Sequence, residues 1–364
     1  MNKPMNRCAH THPASAGWLA GALLVGAMGL PLQANAQTTV ELPPVTVGAG
    51  MRTSFTSTDT DGAADDVNDF NLNSVRLYLS GQATETISFS FNTDYNASTN
   101  AVTVIDAVGQ FAFSPQFNIW AGRFLPPSDR ANLYGPYYAN AWNFAADGVQ
   151  DGFPFVSAGR NDGVAYWGNF SRLNVSLGVF DVPSTKAGGA EPSDTVFAGR
   201  LHLSLWDIES GYYLNGTYYG DKDILSFGVA THSISGDTAV TFDGLMEKKL
   251  GNAGVVTLEG EYATYEGAAG GYGSPVPFSE SDGYFVLGAY LFPKPAGMGQ
   301  FQVLAKLGTT TYDTAGGDME LETSELNLNY IIKAFNARLS LFYLDQSFED
   351  ADSTQLGLGL QLQM

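Results

Sequence analysis

The chain has 364 residues, with 37 acidic side chains against 17 basic ones, and the resulting formal charge of −20 excludes nucleic acid as a partner because phosphate binding requires a basic surface. Its single cysteine, Cys8, excludes a disulfide framework and a zinc–cysteine site, and with few histidines no metal or cofactor is expected. Beyond the first forty residues no segment approaches eighteen consecutive apolar residues, which excludes helical membrane spans.

The chain opens with Lys3 and Arg7, followed by an apolar run from Ala14 to Leu30 and the small-residue pattern Ala34, Asn35, Ala36. This order predicts a secretory signal peptide over 1–36, cleaved before Gln37; an uncleaved anchor is the rival reading. Glycines at 17, 21, 26 and 29 interrupt the run and weaken that rival. Cleavage would remove Lys3, Arg7 and Cys8 and no acid, leaving 15 basic and 37 acidic residues, a charge of −22 and no thiol.

From Val45 onward, apolar residues alternate with small or polar ones in segments of roughly ten, the period-two pattern of strands with two unlike faces. Leu173, Val175, Leu177 and Val179 share one face, and Asn174, Ser176 and Gly178 the other. Near the end, Leu356, Leu358, Leu360 and Leu362 oppose Gly357, Gly359, Gln361 and Gln363. A soluble sandwich shows the same alternation, so the connections decide. Tight links such as Ser114, Pro115, Gln116 alternate with long ones at 57–70, 94–101, 124–162, 181–194 and 266–281, as expected of a transmembrane barrel with short turns on one rim and long loops on the other.

A direct count gives seventeen strands and places 266–281 on the short-turn rim. Reading Glu209–Thr217 as an extended turn feeding one strand over Tyr218–Thr231 restores sixteen. The expected fold is thus all-β: a closed antiparallel transmembrane barrel of about sixteen strands over 37–364, since closure satisfies every backbone group in lipid. Tyr218, Tyr219, Tyr262 and Tyr265 suit an aromatic girdle, although aromatics are favoured in strands generally. In the first long connection, Asp59, Asp61, Gly62, Asp65, Asp66 and Asp69 resemble a calcium loop without its final glutamate, and a solvated acidic loop is the plainer reading.

If the Leu/Val faces meet lipid, parity turns Arg76, Arg200, Lys306 and Arg338 inward, together with Glu259, Glu261, His202 and His232. Such basic residues either offer an anion path or are paired across the bore. Strict parity turns Arg123 outward. The longest connection, 124–162, carries Pro126, Pro127, Arg130, Tyr134, Trp142 and Arg160. A loop so rich in proline and aromatics is expected to fold into the barrel as a constriction, which makes Arg130 and Arg160 further anion candidates.

The run from Ala121 through Gly122, Arg123, Phe124, Leu125, Pro126, Pro127, Ser128, Asp129 and Arg130 to Pro136 resembles the third-loop region of the phosphate-selective porin O and P family, as do Asp147–Gly152 and 163–170. The likeness is clear over about 70–220. It implies a sixteen-stranded homotrimer in the bacterial outer membrane, with an inward third loop and a basic anion path. Two features depart from that pattern: the strongly acidic mature chain and the terminal Met364 in place of an aromatic residue.

The expected function is passive diffusion of small inorganic or organic ions through an outer-membrane porin in contact with lipid, either anion- or phosphate-preferring, or general to cation-preferring as the −22 charge favours. Enzymatic activity is not expected, because neither His202 nor His232 has a nucleophile motif near it. A sheath for a partner protein is the remaining alternative, which a bulky inward loop opposes.

Overall fold

A computed structural model describes residues 45–364, apart from 97–99, 145–158, 182–194, 235, 267–277 and 350. The proposed signal peptide and Asp147–Gly152 lie outside the described residues. Sixteen strands run in chain order: β1 (Val45–Thr60), β2 (Val67–Gln82), β3 (Ile87–Asn96), β4 (Ala101–Ser114), β5 (Phe117–Phe124), β6 (Asn161–Phe170), β7 (Leu173–Asp181), β8 (Thr195–Ser204), β9 (Ile224–Ile234), β10 (Asp237–Lys249), β11 (Val255–Glu266), β12 (Glu280–Leu291), β13 (Gln300–Thr314), β14 (Gly317–Lys333), β15 (Ala337–Phe348) and β16 (Ala351–Gln363). Each pairs antiparallel with its chain neighbours, and β1 pairs with β16 to close the barrel. The closing register runs from Gly50 opposite Gln363 to Thr60 opposite Ser353, and the Met364 N–H donates to the Ala49 carbonyl at 2.9 Å.

The two faces of this sheet differ as the alternation requires. Leu177, Val179, Leu201, Phe227, Leu258, Val286, Leu307, Leu326 and Leu358 are exposed on the outer face, whereas Ser176, Arg200, His202, Asp243, Glu259, Glu261, Lys306 and Asn329 are buried on the inner one. A continuous exposed apolar band on a closed sheet is stable only when an apolar medium covers it. The period-two reading holds residue by residue: Arg76, Arg200, Lys306 and Arg338 are on the inner face, and Arg123 is on the outer one, in an exposed pair with Asp162 at 2.8 Å.

Two expectations are corrected. Of the four girdle tyrosines only Tyr262 faces out; Tyr265, an odd number of positions away, is buried on the inner face, Tyr218 donates to Glu209 at 2.7 Å, and the Tyr219 ring lies 5.1 Å from Phe335. The ninth strand starts at Ile224 rather than Tyr218, and the connection before it spans 205–223. That connection lies on the near rim, the one carrying the start of β1 and the end of β16, where the other links are short: 83–86, 115–116, 171–172, 250–254, 292–299 and 334–336. The connections 125–160, 182–194 and 267–279 are on the far rim as the spacing predicts, whereas 205–223, longer than 182–194, departs from the expected order. The expected long connections 57–70 and 94–101 shorten to 61–66 and 97–100, because β1 extends to Thr60, β2 starts at Val67, β3 extends to Asn96 and β4 starts at Ala101.

Candidate functional site

Of the longest connection, 125–144 and 159–160 are described; the first stretch contains a helix, α1 (Arg130–Tyr138), capped by Asp129, whose side chain accepts from the Asn132 N–H at 2.8 Å. The cap satisfies a helix-start donor, and Gly135 at φ 59° followed by Pro136 breaks the helix before it can continue. Side chains of the inner wall hold this segment along its length. His232 on β9 lies 2.7 Å from the Pro127 carbonyl, and Arg200 on β8 donates to the Ser128 carbonyl at 3.0 Å. Gln361 on β16 donates to the Tyr137 carbonyl at 2.9 Å, and Arg338 on β15 donates to the Ala139 and Asn140 carbonyls at 2.9 and 3.0 Å. Arg52 on β1 donates to the Trp142 carbonyl at 2.7 Å, and Lys306 on β13 to the Phe144 carbonyl at 3.0 Å. Asn327 on β14 accepts from the Trp142 N–H at 2.9 Å.

Trp142 shows how the wall is cut to receive the segment. Its ring stacks on Phe342, with centroids 5.6 Å apart, and the Arg52 guanidinium lies 4.1 Å from its centroid. A Cβ at Gly359 would lie 2.4 Å from that ring, and one at Gly50 would lie 2.8 Å from the ring of Tyr137. These inward glycines are the small positions of the alternating pattern, and they accept an aromatic side chain from the segment rather than a turn. Pro126, Pro127 and Tyr134 are likewise buried.

The near-rim connection 205–223 meets the same segment. Arg130 forms a two-pronged pair with Glu209, Nη1 to Oε1 at 2.9 Å and Nη2 to Oε2 at 2.6 Å, and also donates to the Asn215 carbonyl and to Ser226 Oγ, both at 2.8 Å. Both side chains are essentially unexposed. The Tyr212 hydroxyl donates to the Leu125 carbonyl at 2.7 Å, and the Gly216 N–H to the Tyr138 carbonyl at 3.0 Å. Glu247 on β10 in turn accepts from Thr217 Oγ1 at 2.6 Å and from the Gly220 N–H at 2.7 Å, which anchors the connection to the wall. Burial alone would raise the Glu209 carboxyl, but the Arg130 guanidinium with its two hydrogen bonds, and the His202 imidazole 3.2 Å away, overcome it and hold the group well below the usual carboxylate range.

Among the described residues, the two segments cover one side of the inner wall and leave another open. Inner residues of β8–β15, among them Arg200, Asp243, Glu247, Glu259, Lys306, Asn329 and Arg338, are buried, whereas Arg76, Tyr78, Ser80, Gln82, Ser90, Asn92 and Gln110 on β2–β4 are partly or fully exposed. On that side two ion pairs form, with Asp106 of the second one buried. Arg76 Nε lies 2.8 Å from Asp94 Oδ2, and Arg160 Nε lies 3.3 Å from Asp106 Oδ1.

The six basic candidates therefore fall into two groups. Arg76 and Arg160 share the open side, each beside a carboxylate. Arg130, Arg200, Lys306 and Arg338 are buried, with Arg200 bound to Asp243 at 2.5 and 2.8 Å. Sequence reasoning did not find Arg52, Asp94, Asp106, Glu209, Asp243 or Glu247. For Arg52 and for Asp94, which faces Arg76 across β2 and β3, parity was a usable signal; for Glu209 there was none beyond the strand miscount. His202 Nε2 lies 3.2 Å from Glu209, and the buried Ser226 donates to that carboxylate at 2.6 Å rather than to the imidazole, so no serine–histidine pairing is formed there.

No family model matches the chain, and no curated protein does. Among solved structures, the anion-selective porin from Comamonas acidovorans is similar at 13% identity, covering 88% of this chain and 99% of that one with a TM-score of 0.58. Pseudomonas putida OprB aligns at 8% identity over 88% and 94%, TM-score 0.60, and the outer membrane channel DcaP of Acinetobacter baumannii at 13% over 88% and 97%, TM-score 0.55. At such identities the likeness is one of fold: a closed porin-type barrel.

Proposed function

We propose that the chain is a porin of the bacterial outer membrane, exported by cleavage of 1–36 and assembled as a homotrimer, through which small solutes diffuse passively. The observation that carries this reading is a closed sixteen-stranded barrel, apolar outside, whose bore the described residues fill on one side and leave open along β2–β4. The far rim, with its long connections, faces the exterior, and the near rim faces the periplasm. Residues 125–144, the first described stretch of the loop read as 124–162, fold into the bore as its constriction, a role supported by the bonds from β1, β8, β9 and β13–β16 to residues 127–144. Arg130, Arg200, Lys306 and Arg338, with Trp142 and Tyr134, hold that constriction in place. Solutes pass along β2–β4, beside Arg76 and Arg160.

Each basic side chain on that path stands against a carboxylate, so the path is charge-compensated and discriminates weakly between small ions. Preference for anions, phosphate included, is the second reading. It rests on Arg76 and Arg160 and on the resemblance of 121–136 to the phosphate-selective porin O and P family, and Asp94 and Asp106 oppose it.

Proteoliposome swelling tests the passive channel. Vesicles with the refolded protein are expected to swell in isotonic glycine and more slowly in larger amino acids, at rates linear in concentration. Swelling no faster than in protein-free vesicles would contradict a diffusion channel.

A further inference from the structure

Between the ion pairs and the near rim the open side of the bore changes character. A cavity of about 350 Å³, within the size range of small-molecule sites, is lined by Tyr78, Ser80, Ser90, Asn92, Tyr138 and Gln363 among others, and none of its lining side chains is a lysine, arginine, aspartate or glutamate. A second recess of about 660 Å³ shares Thr46 and Ser80 with it and adds Gln82, Ser88, Gln110 and Phe89, with Glu85 of the near-rim turn as its one charged residue. Two constraints follow from this lining. An anion finds no guanidinium or ammonium fork to replace its hydration. An apolar solute would strip water from amides and hydroxyls and leave them unpaired.

The lining suits a ligand that is uncharged, rich in hydroxyls and flat on one face. Amide side chains offer donors and acceptors together, and hydroxyls both donate and accept. Asn92 directs one N–H to Asp106 at 2.8 Å, and Gln110 bridges Ser88 and Ser90 at 3.1 and 3.3 Å, so this wall is already ordered by its own bonds. The tyrosines supply the flat face. Tyr138 comes from the end of α1, is exposed, and its ring is held edge-on by Phe335 at 5.0 Å; Tyr78 is set edge-on against Tyr137 at 6.5 Å. A ring so fixed presents an apolar surface with little loss of side-chain freedom on binding.

We propose that this cavity is a subsite for a neutral, polyhydroxylated solute of sugar type, retained on its way through the bore by the Tyr138 ring and the amide–hydroxyl wall of β2–β4. The proposal rests on the channel reading above and names the solute class that the path favours.

The test is potassium chloride current through the refolded protein in planar bilayers, with sucrose added on the near-rim side. Sucrose is expected to reduce the current saturably, beyond the change in bulk conductivity. Tyr138→Ala, which removes the ring, is expected to raise the half-blocking concentration about fivefold or more, and Tyr138→Phe, which keeps it, by less than about twofold. Ser80→Phe fills the cavity from the opposite wall without altering α1, and is expected to abolish the block, which keeps the test decisive if Tyr138→Ala fails to fold. A conducting wild type whose current follows bulk conductivity alone, a Tyr138→Ala channel blocked like wild type, or stronger block by phosphate than by sucrose would each overturn the subsite while leaving the channel. A wild type with no conductance would overturn the channel reading, and the subsite with it.

Discussion

Replacing Glu209 by alanine is expected to destabilise the folded barrel by about 3–5 kcal/mol, because it removes the two-pronged partner of the buried Arg130 charge and leaves beside it only Asp243, 3.9 Å from Nε and already bound to Arg200. Two of the four hydrogen bonds that Arg130 makes through its terminal nitrogens go to Glu209, and no water reaches the guanidinium to replace them. By comparison, the exposed Arg123–Asp162 pair contributes about 0–1 kcal/mol despite its 2.8 Å separation. Urea unfolding of the refolded protein measures the loss. The double variant Arg130→Met, Glu209→Leu removes both charges and is expected to recover most of it.

The same carboxylate makes stability depend on acid. The folded-state value of Glu209 lies below its unfolded value of about 4.3, so its contribution is fully present above that pH and is lost as the pH falls from there toward the folded value. The wild-type urea midpoint is expected to fall between pH 6 and pH 3, and Glu209→Gln is expected to lack that part of the fall. Equal midpoints for wild type and Glu209→Ala at pH 6 would mean that the near-rim connection does not hold the loop segment.

Removing the two positive charges on the open path is expected to shift selectivity strongly toward cations. A unit charge about 8 Å from a passing ion is worth roughly 0.5 kcal/mol in water before screening, with opposite sign for cation and anion. Its loss therefore changes the cation-to-anion permeability ratio by roughly twofold to sixfold, depending on ionic strength. Arg76→Gln with Arg160→Gln is thus expected to raise the ratio by roughly tenfold, and Asp94→Asn with Asp106→Asn to lower it by a similar factor, read from the reversal potential in a potassium chloride gradient. A ratio that neither pair of substitutions moves would place the solute path elsewhere in the bore.

How much of this was legible in the sequence depends on the range of the interaction. Direction is local: a period of two residues sent Arg200 and Arg338 inward and Arg123 outward, and the same rule, applied to Tyr262 and Tyr265, separates an outward tyrosine from a buried one. Strand number was recoverable for the same reason, since alternation fails across 205–223. Partnership is not local. Arg130 and Glu209 are 79 positions apart, and Arg338 reaches carbonyls about 200 positions away. Neither residue type nor spacing records which inward side chain meets which. The basic residues read as an anion path therefore divided on contact information alone, four buried against the loop segment and carboxylates, two left on the open side.

Recording from the refolded wild-type protein in a planar bilayer decides whether the barrel conducts. Discrete, ohmic openings are expected in potassium chloride, with a reversal potential close to zero in a salt gradient because the path charges are compensated. A folded protein that inserts into the bilayer and passes no current would contradict the channel reading.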